Sequence, residues 1–242
     1  MYTNRIRRRE SMEPKHPHDR HEGWELFRQL NRYMNEQFAP QDEVLASIRR
    51  SMEENGLPPI SVSPATGKLL TMLVAISGTK NVLEIGALGG YSGVCLARGL
   101  GRGGLLTSLE LVEDYARLAK QNLEKAGFGS QVVYMVGPAL ESLEALVAQG
   151  SRFDFFFIDA DKENYVHYLD YCLRLANPGA IIAADNTMAG SGIGTPRALG
   201  RRGEIMRQFN ETVARHPALD ALFLPIGDGV TVARVKAAKE ER

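Results

Sequence analysis

Two cysteines and a single tryptophan are all that 242 residues contain of either type. Cys95 and Cys172 sit inside apolar patterns with neither metal-type nor redox spacing. That excludes a disulfide-stapled scaffold and fits buried thiols in a reducing compartment. No apolar run approaches the ~18 residues of a membrane-spanning helix. The basic start RIRRRE leads into no apolar signal-peptide core, so a cytoplasmic protein is expected. Net charge is missing as well: 29 Lys plus Arg balance 29 Asp plus Glu. No global field therefore recruits nucleic acid or a membrane, and a polyanionic partner would need a local basic patch. Internal repeats and low-complexity segments are absent too.

What remains is an ordinary globular composition, 44% hydrophobic and 24% charged with 24 glycines. The length suits one large domain with appendages. Residues 1–21 are polar, basic and proline-punctuated, which predicts a flexible basic arm; His16, His18 and His21 read there as solvated side chains. Residues 22–58 predict two helices. Leu26, Leu30, Tyr33, Met34 and Phe38 form one apolar stripe, and Val44, Leu45, Ile48 and Met52 a second, before Asn55-Gly56. Ser63-Pro64 marks a third helix entry, with Leu69, Leu70, Leu73 and Val74 as its buried face.

After it, short apolar runs alternate with helix-length segments. The runs NVLEIG, LLTSLEL, QVVYMVG, FDFFFIDA, AIIAADN, ALFLPI and GVTVARV predict strands. Between them YSGVCLARGL, EDYARLAKQNLEKAG, ESLEALVAQG and NYVHYLDYCLRL predict helices. The order is that of an α/β fold, Rossmann-like and doubly wound, with a mostly parallel sheet. Gly227-Asp228-Gly229 suggests an antiparallel C-terminal hairpin. Residues 187–203 form the one long irregular connection, rich in glycine, and suit a mobile active-site loop or a plain surface insertion.

In an open parallel sheet ligands collect at the carboxyl ends of the strands. The first strand ends in Glu84, Gly86 and Ala87, and then turns through Gly89, Gly90 and Tyr91 to Ser92. These glycines let backbone approach a ligand, yet no G-x-G-x-x-G stands in register, so a nicotinamide enzyme is disfavoured. Glu110 ends the second strand, where a carboxylate can accept both hydroxyls of a ribose; a solvated strand end is the plainer alternative. Gly137-Pro138-Ala139, small and uncharged, suits the flank of a planar base. The fourth strand presents Asp159, Asp161 and Lys162, and the fifth Asp185-Asn186. Asp159, Asp185 and Asn186 are oxygen donors of the kind that Mg²⁺ or Ca²⁺ accepts, with Mn²⁺ a further candidate, whereas softer metals would ask for His or Cys.

Taken together, VSPATGKLL, VLEIGALGGYSGVCLARGL, LELVEDYARLAKQNLEKAG, GPALESL, FDFFFIDADKENY, AADN and LPIGDGVTVARV resemble one known family. It is that of the cation-dependent, S-adenosylmethionine-using O-methyltransferases related to caffeoyl-coenzyme A and catechol O-methyltransferases. The resemblance covers roughly residues 60 to 235, in family order and spacing. It implies a single class I methyltransferase domain over 22–242, with its core at 59–236, a seven-stranded sheet and a homodimer. Val62, Glu84, Gly86, Ala87 and Ser92 would hold the methionine end of the cofactor, Glu110 its ribose and Ala139 its adenine edge. Asp159, Asp185 and Asn186 would ligate the divalent cation, Asp161 would neighbour the cofactor, and Lys162 would be the base.

Elementary chemistry agrees with that assignment. A sulfonium methyl donor needs a deprotonated oxygen in line with its S–CH₃ bond. A phenol is mostly protonated at pH 7, and chelation of two vicinal oxygens by a divalent cation both lowers its pKa and sets its geometry. A lysine with a depressed pKa can take the proton, although a plain exposed lysine fits the same letters. One departure stands out: DNTMAGSG, with Met188 and Ala189, replaces the aromatic residue that many relatives carry after Asp-Asn. The expected acceptor is a small vicinal-hydroxyl aromatic such as a catechol or caffeoyl-like compound. The alternative is a hydroxylated uridine in transfer RNA, for which Arg5, Arg7, Arg8, Arg9, Arg197, Arg201 and Arg202 would form a phosphate-binding rim.

Overall fold

The computed structural model describes residues 17–188 and 200–237, with side chains from residue 23 onward. Its strands are β1 (Asn81–Ile85), β2 (Leu105–Glu110), β3 (Val132–Val136), β4 (Phe153–Ile158), β5 (Ala176–Ala184), β6 (Leu219–Leu224) and β7 (Val230–Val235). They form one seven-stranded sheet in the order β3-β2-β1-β4-β5-β7-β6. Neighbours from β3 to β5 pair in parallel, and β7 runs antiparallel to both β5 and β6. The expected terminal hairpin is therefore present. The helices are α1 (Pro17–Gln37), α2 (Glu43–Glu54), α3 (Pro64–Ser77), α4 (Tyr91–Gly99), α5 (Glu113–Lys125), α6 (Ala139–Ala148), α7 (Tyr165–Leu175) and α8 (Arg201–Arg215).

Helices cover both faces of the sheet. Side chains of α2, α3, α4 and α5 pack with Val82, Phe155 and Phe157 on one face. Those of α6, α7 and α8 pack with Leu83, Ile85, Phe156 and Ile158 on the other. That double burial explains the apolar run Phe155–Ile158 of β4, whose successive side chains enter different cores instead of alternating with polar ones. β1 and β4 lie side by side at the centre, and the chain leaves them toward opposite edges. A crevice thus opens beyond their carboxyl ends.

Local signals behave as expected at α3. The Ser63 hydroxyl accepts from Thr66 N at 3.1 Å, and the helix closes on Gly78 at φ 65°. Elsewhere the structure departs from the sequence reading. α1 begins at Pro17, inside the stretch that composition assigned to an arm. Its stripe Leu26, Leu30 and Tyr33 is more than half exposed, as is Phe38 just beyond it. The reason is polar: Asn31 Oδ1 accepts from Gly227 N at 2.8 Å and Asn35 Oδ1 from Ala65 N at 3.0 Å. These two anchors set the rotation of α1 and turn the apolar stripe outward.

β5 starts earlier than AIIAADN suggests, with Asn177-Pro178-Gly179 inside it. The irregular connection expected over 187–203 ends sooner, because α8 starts at Arg201. α8 carries many charges around a narrow apolar stripe of Met206, Phe209 and Val213, so its sequence gives only a thin signal. Those three residues are buried against α7 and the sheet.

Candidate active site

The turn after β1 is shaped by close approach. Gly86 has φ 101°, and a Cβ there would lie 2.2 Å from the backbone oxygen of Asp159. Only glycine lets the ends of β1 and β4 meet so closely. Asp159 N completes the junction by donating to Ile85 O at 2.9 Å. From α2, Arg49 Nη2 donates to the Val62 carbonyl at 2.9 Å, and its guanidinium lies 4.4 Å from the Tyr91 ring centroid. α2 therefore ties the entry of α3 to the start of α4.

Glu110 grips the same turn from β2. One carboxylate oxygen accepts from Ala87 N at 3.1 Å and Leu88 N at 2.8 Å, and the other from Val112 N at 3.0 Å. Glu84, in contrast, lies wholly beneath the surface. Its two oxygens accept from the Ser92 hydroxyl at 2.5 Å and the Ser108 hydroxyl at 2.6 Å. Burial pushes its carboxyl up to about 7. Glu84 and Ser92 thus belong to the floor that supports the turn. Ala139 opens α6 beyond β3 and is half-buried.

The end of β4 gathers the chemistry. Lys162, which a plain surface reading would expose, is 8% exposed. Its Nζ donates to Asp159 Oδ1 at 3.0 Å and to the Tyr165 hydroxyl at 2.5 Å. Tyr165 is fully buried, and its hydroxyl donates toward the Asp185 backbone oxygen at 3.0 Å, with Ile158 O at 3.3 Å. Lysine, tyrosine and two strand ends therefore form one bonded chain. Asp161 is exposed and faces α7 instead, accepting from Tyr168 and from Asn164 Nδ2 at 2.6 Å. Both of its oxygens are engaged in starting that helix.

Asp185 is 2% exposed, and its Oδ1 is buried with no hydrogen-bond partner among the described residues. Its neighbour Asn186 adopts φ 58°, a left-handed conformation uncommon outside glycine. That turn is held from below: Thr187 N donates to Gly229 O at 2.9 Å, and Met188 N donates to Asp228 O at 3.0 Å. From α8, Asn210 Nδ2 donates to Thr187 O at 2.7 Å.

Burial pushes the Asp159 carboxyl upward against the pull of Lys162 and Arg202. Burial and the Asp159 charge push Asp185 up to about 7. Asp228, on the β6–β7 turn, raises both. Two carboxylates that cannot both ionise cheaply at neutral pH, one with an orphaned oxygen, form a site short of positive charge. Among the described residues no three His, Cys, Asp or Glu side chains gather in a way that could hold a metal ion.

Sequence reasoning missed Tyr165, Arg49 and Asp228. Tyr165 stands three positions after Lys162 in DKENY, one helical turn away, and that spacing was the available signal. Asp228 appeared only as a hairpin turn residue, and nothing local marks Arg49. Of the proposed basic rim, Arg201 and Arg202 are exposed at the start of α8. Arg5, Arg7, Arg8, Arg9, Arg197, His16 and Ala189 lie outside the described residues, and the side chains of His18 and His21 lie outside the described side chains.

Comparison with known proteins agrees with this architecture. The family model described as O-methyltransferase matches residues 35–236. A catechol O-methyltransferase of Niastella koreensis is 36% identical over 218 residues, covering 88% of this chain and 99% of that protein. One from Mycobacterium tuberculosis is 38% identical over 212 residues, covering 86% and 95%. An O-methyltransferase from Bacillus cereus, solved in complex with SAH, superposes with a TM-score of 0.79 at 36% identity, covering 88% of this chain and 99% of that one. A family model that spans most of the chain, with relatives 36–38% identical over nearly their whole length, places this chain in the O-methyltransferase family, as an S-adenosylmethionine-dependent O-methyltransferase.

Proposed function

We propose that the protein methylates one hydroxyl of a small aromatic carrying two vicinal hydroxyls, a catechol or caffeoyl-like compound, with the help of a divalent cation. The observation that carries this reading is the buried, partnerless Asp185 Oδ1 beside Asp159, with Lys162 in contact. Asp159, Asp185 and the Asn186 amide would hold the cation, Mg²⁺ foremost, since hard oxygen donors suit it. When bound, such an ion supplies the missing positive charge and lowers the pKa of an acceptor hydroxyl. The donor supplies an electrophilic methyl group on a sulfonium, whose sulfur keeps the bonding pair when the carbon leaves.

The chain's own groups do the rest. Lys162 Nζ is within 3.0 Å of Asp159 Oδ1, so a hydroxyl placed beside Asp159 meets the lysine at contact distance. In its neutral form Nζ receives the hydroxyl proton. Tyr165 holds the amine there. Glu110 sits where a ribose would exchange its hydroxyls for the backbone N–H bonds of the turn, Val62, Gly86 and Ala87 would line the methionine end, and Ala139 would border the adenine. Glu84 and Ser92 would support that pocket from beneath.

Assembly and compartment complete the proposal. The outward stripe of Leu26, Leu30 and Tyr33 is an apolar face that a second copy of the chain would cover, making a homodimer. Two buried, unbridged cysteines suit the cytoplasm, and among the described residues no helix is long and apolar enough to cross a membrane.

Methyl transfer from labelled S-adenosylmethionine to a catechol panel and to bulk transfer RNA, each with and without EDTA, tests the reading. Transfer to catechols that stops in EDTA, and is lost in Asp159→Ala and Asp185→Ala, is expected. Transfer indifferent to EDTA would overturn the cation, and transfer to RNA alone would overturn the acceptor class.

A further inference from the structure

We infer that Arg202 selects acceptors bearing a negative charge on the substituent opposite the two hydroxyls, such as a ring carboxylate or a carboxylate on a short arm. The inference rests on the catechol reading above for the rest of the acceptor.

In α8, Met206, Phe209 and Val213 form the buried stripe, spaced by three and four residues. Arg202 stands four positions before Met206 and seven before Phe209, so it continues that same face by one turn toward the helix start. Phe209 meets the Tyr165 ring at 5.3 Å, edge to face. The stripe therefore points at the bonded chain of Lys162, Tyr165 and Asp185. α8 also packs against the Lys162–Asn164 turn. One turn above Met206 the stripe leaves the core, and there the sequence places an exposed arginine.

The field agrees with the geometry. The positive charge of Arg202 acts on Asp159, and it reaches the buried Tyr165 hydroxyl as well. Among the described residues its guanidinium makes no hydrogen bond and no ion pair. Every other arginine on α8 behaves differently or points elsewhere: Arg207 is paired to Glu204 and Glu211, and Arg215 to Glu211. Arg201 is rotated by about 100° from Arg202 around the helix, off the stripe. An unpaired guanidinium at the rim of a catalytic crevice offers a planar fork that matches a carboxylate.

A second exposed charge, on another element, has the opposite sign. Asp228 is exposed on the β6–β7 turn, and its charge acts on Asp159 and Asp185. Its side chain is unpaired among the described residues. The two charges therefore orient an anionic acceptor in one sense: charged substituent toward α8 and away from the hairpin, hydroxyls toward Asp159 and Lys162.

The test pairs binding with turnover. Catechol, 3,4-dihydroxybenzoate, caffeate and dopamine are titrated calorimetrically into wild type, Arg202→Ala, Arg202→Glu and the control Arg201→Ala, each with Mg²⁺ and SAH. In Arg202→Ala, Kd for the two carboxylates rises roughly three- to tenfold, the scale of one partly solvated charge pair. Kd for catechol stays level, and Arg201→Ala leaves all four unchanged. Arg202→Glu shifts preference toward dopamine. The inference is overturned if all acceptors weaken together, or if the carboxylates bind Arg202→Ala as they bind wild type. KM values from methyl transfer report separately. A charge-selective change in Kd without any methylated product leaves Arg202 as the anion reader and removes the catechol-methylation reading. Product with no charge selectivity does the reverse.

Discussion

Lys162 Nζ donates to the Tyr165 hydroxyl at 2.5 Å and lies 4.5 Å from the centroid of the same ring. One aromatic side chain thus holds a buried lysine by its edge oxygen and beside its face, while its own proton is given toward the Asp185 carbonyl at 3.0 Å. A flexible four-carbon stem would otherwise sample many rotamers. Tyr165 fixes one of them and links the proposed base to the strand end that bears the proposed cation ligand.

Tyr165→Phe removes that link and keeps the packing against Phe209. Turnover is expected to fall roughly 10- to 100-fold, the range for loss of a group that orients a catalytic one. The KM for S-adenosylmethionine should stay near wild type, because the turn after β1 is untouched. Steady-state kinetics beside a thermal melt checks this; wild-type turnover in a stable variant would refute the positioning role.

Asp185→Asn trades function for stability. In the folded chain Asp185 keeps its proton up to about pH 7, against an ordinary value of 3.8. The folded state therefore binds the extra proton between those values, and stability falls as pH rises through 7. An amide removes that loss, so the melting temperature in EDTA at pH 8 should rise above wild type. The stabilisation that Mg²⁺ gives the wild type should vanish at the same time. Calorimetric melts with and without Mg²⁺ distinguish the two effects.

Glu84→Gln separates the pocket floor from the cation site. Glu84 is held at about 7 against 4.5 in an unfolded chain, so its contribution is complete below about pH 4.5 and is lost as pH rises through 7. The lost amount is on the order of 3 kcal/mol. Subtracting the variant's stability from that of wild type across pH 5 to 8.5 in EDTA should isolate a downward slope centred between those two values. A flat difference would mean that the carboxyl ionises freely in the fold.

Gly86→Ala should be among the most damaging single-methyl changes available. The added carbon would meet the Asp159 oxygen at 2.2 Å on a backbone with φ 101°, and both strand ends would have to part. Loss of S-adenosylhomocysteine binding by calorimetry, with a melting temperature lowered by several degrees, is expected.

For the outward face of α1, Leu30→Glu combined with Tyr33→Glu places two charges in the apolar stripe. Sedimentation should report a monomer where the parent is a dimer, with little change in the melt of the single chain, because neither side chain is buried there. A monomeric parent would remove the proposed interface.

The alternation of strands and helices was legible because each parallel strand, covered on both faces, must be a short apolar run, as FDFFFI shows. The strand-end carboxylates were legible for a related reason: charge that directly follows such a run has nowhere to sit except the crevice. α8 was not legible, since its apolar stripe is three residues wide and its charges dominate any window. Nor was the outward turn of Leu26, Leu30 and Tyr33, because periodicity identifies a face without saying what covers it. Asn31 and Asn35 decided that, through partners at Gly227 and Ala65 far away in the chain.

Residue types and their order along the chain determined which groups reach the carboxyl edge of the sheet: Gly86, Glu110, Asp159, Lys162, Asp185 and Asn186. Tertiary structure alone decided what each does there. It sank Glu84 beneath the turn, gave Asp161 to α7, buried Lys162 against Tyr165 and left Asp185 Oδ1 without a partner. It also brought the opposite charges of Arg202 and Asp228 to bear on Asp159. The physical reason is that strand register and local spacing act over a few residues, whereas burial, hydrogen-bond satisfaction and the field at a carboxylate depend on groups that only folding brings together.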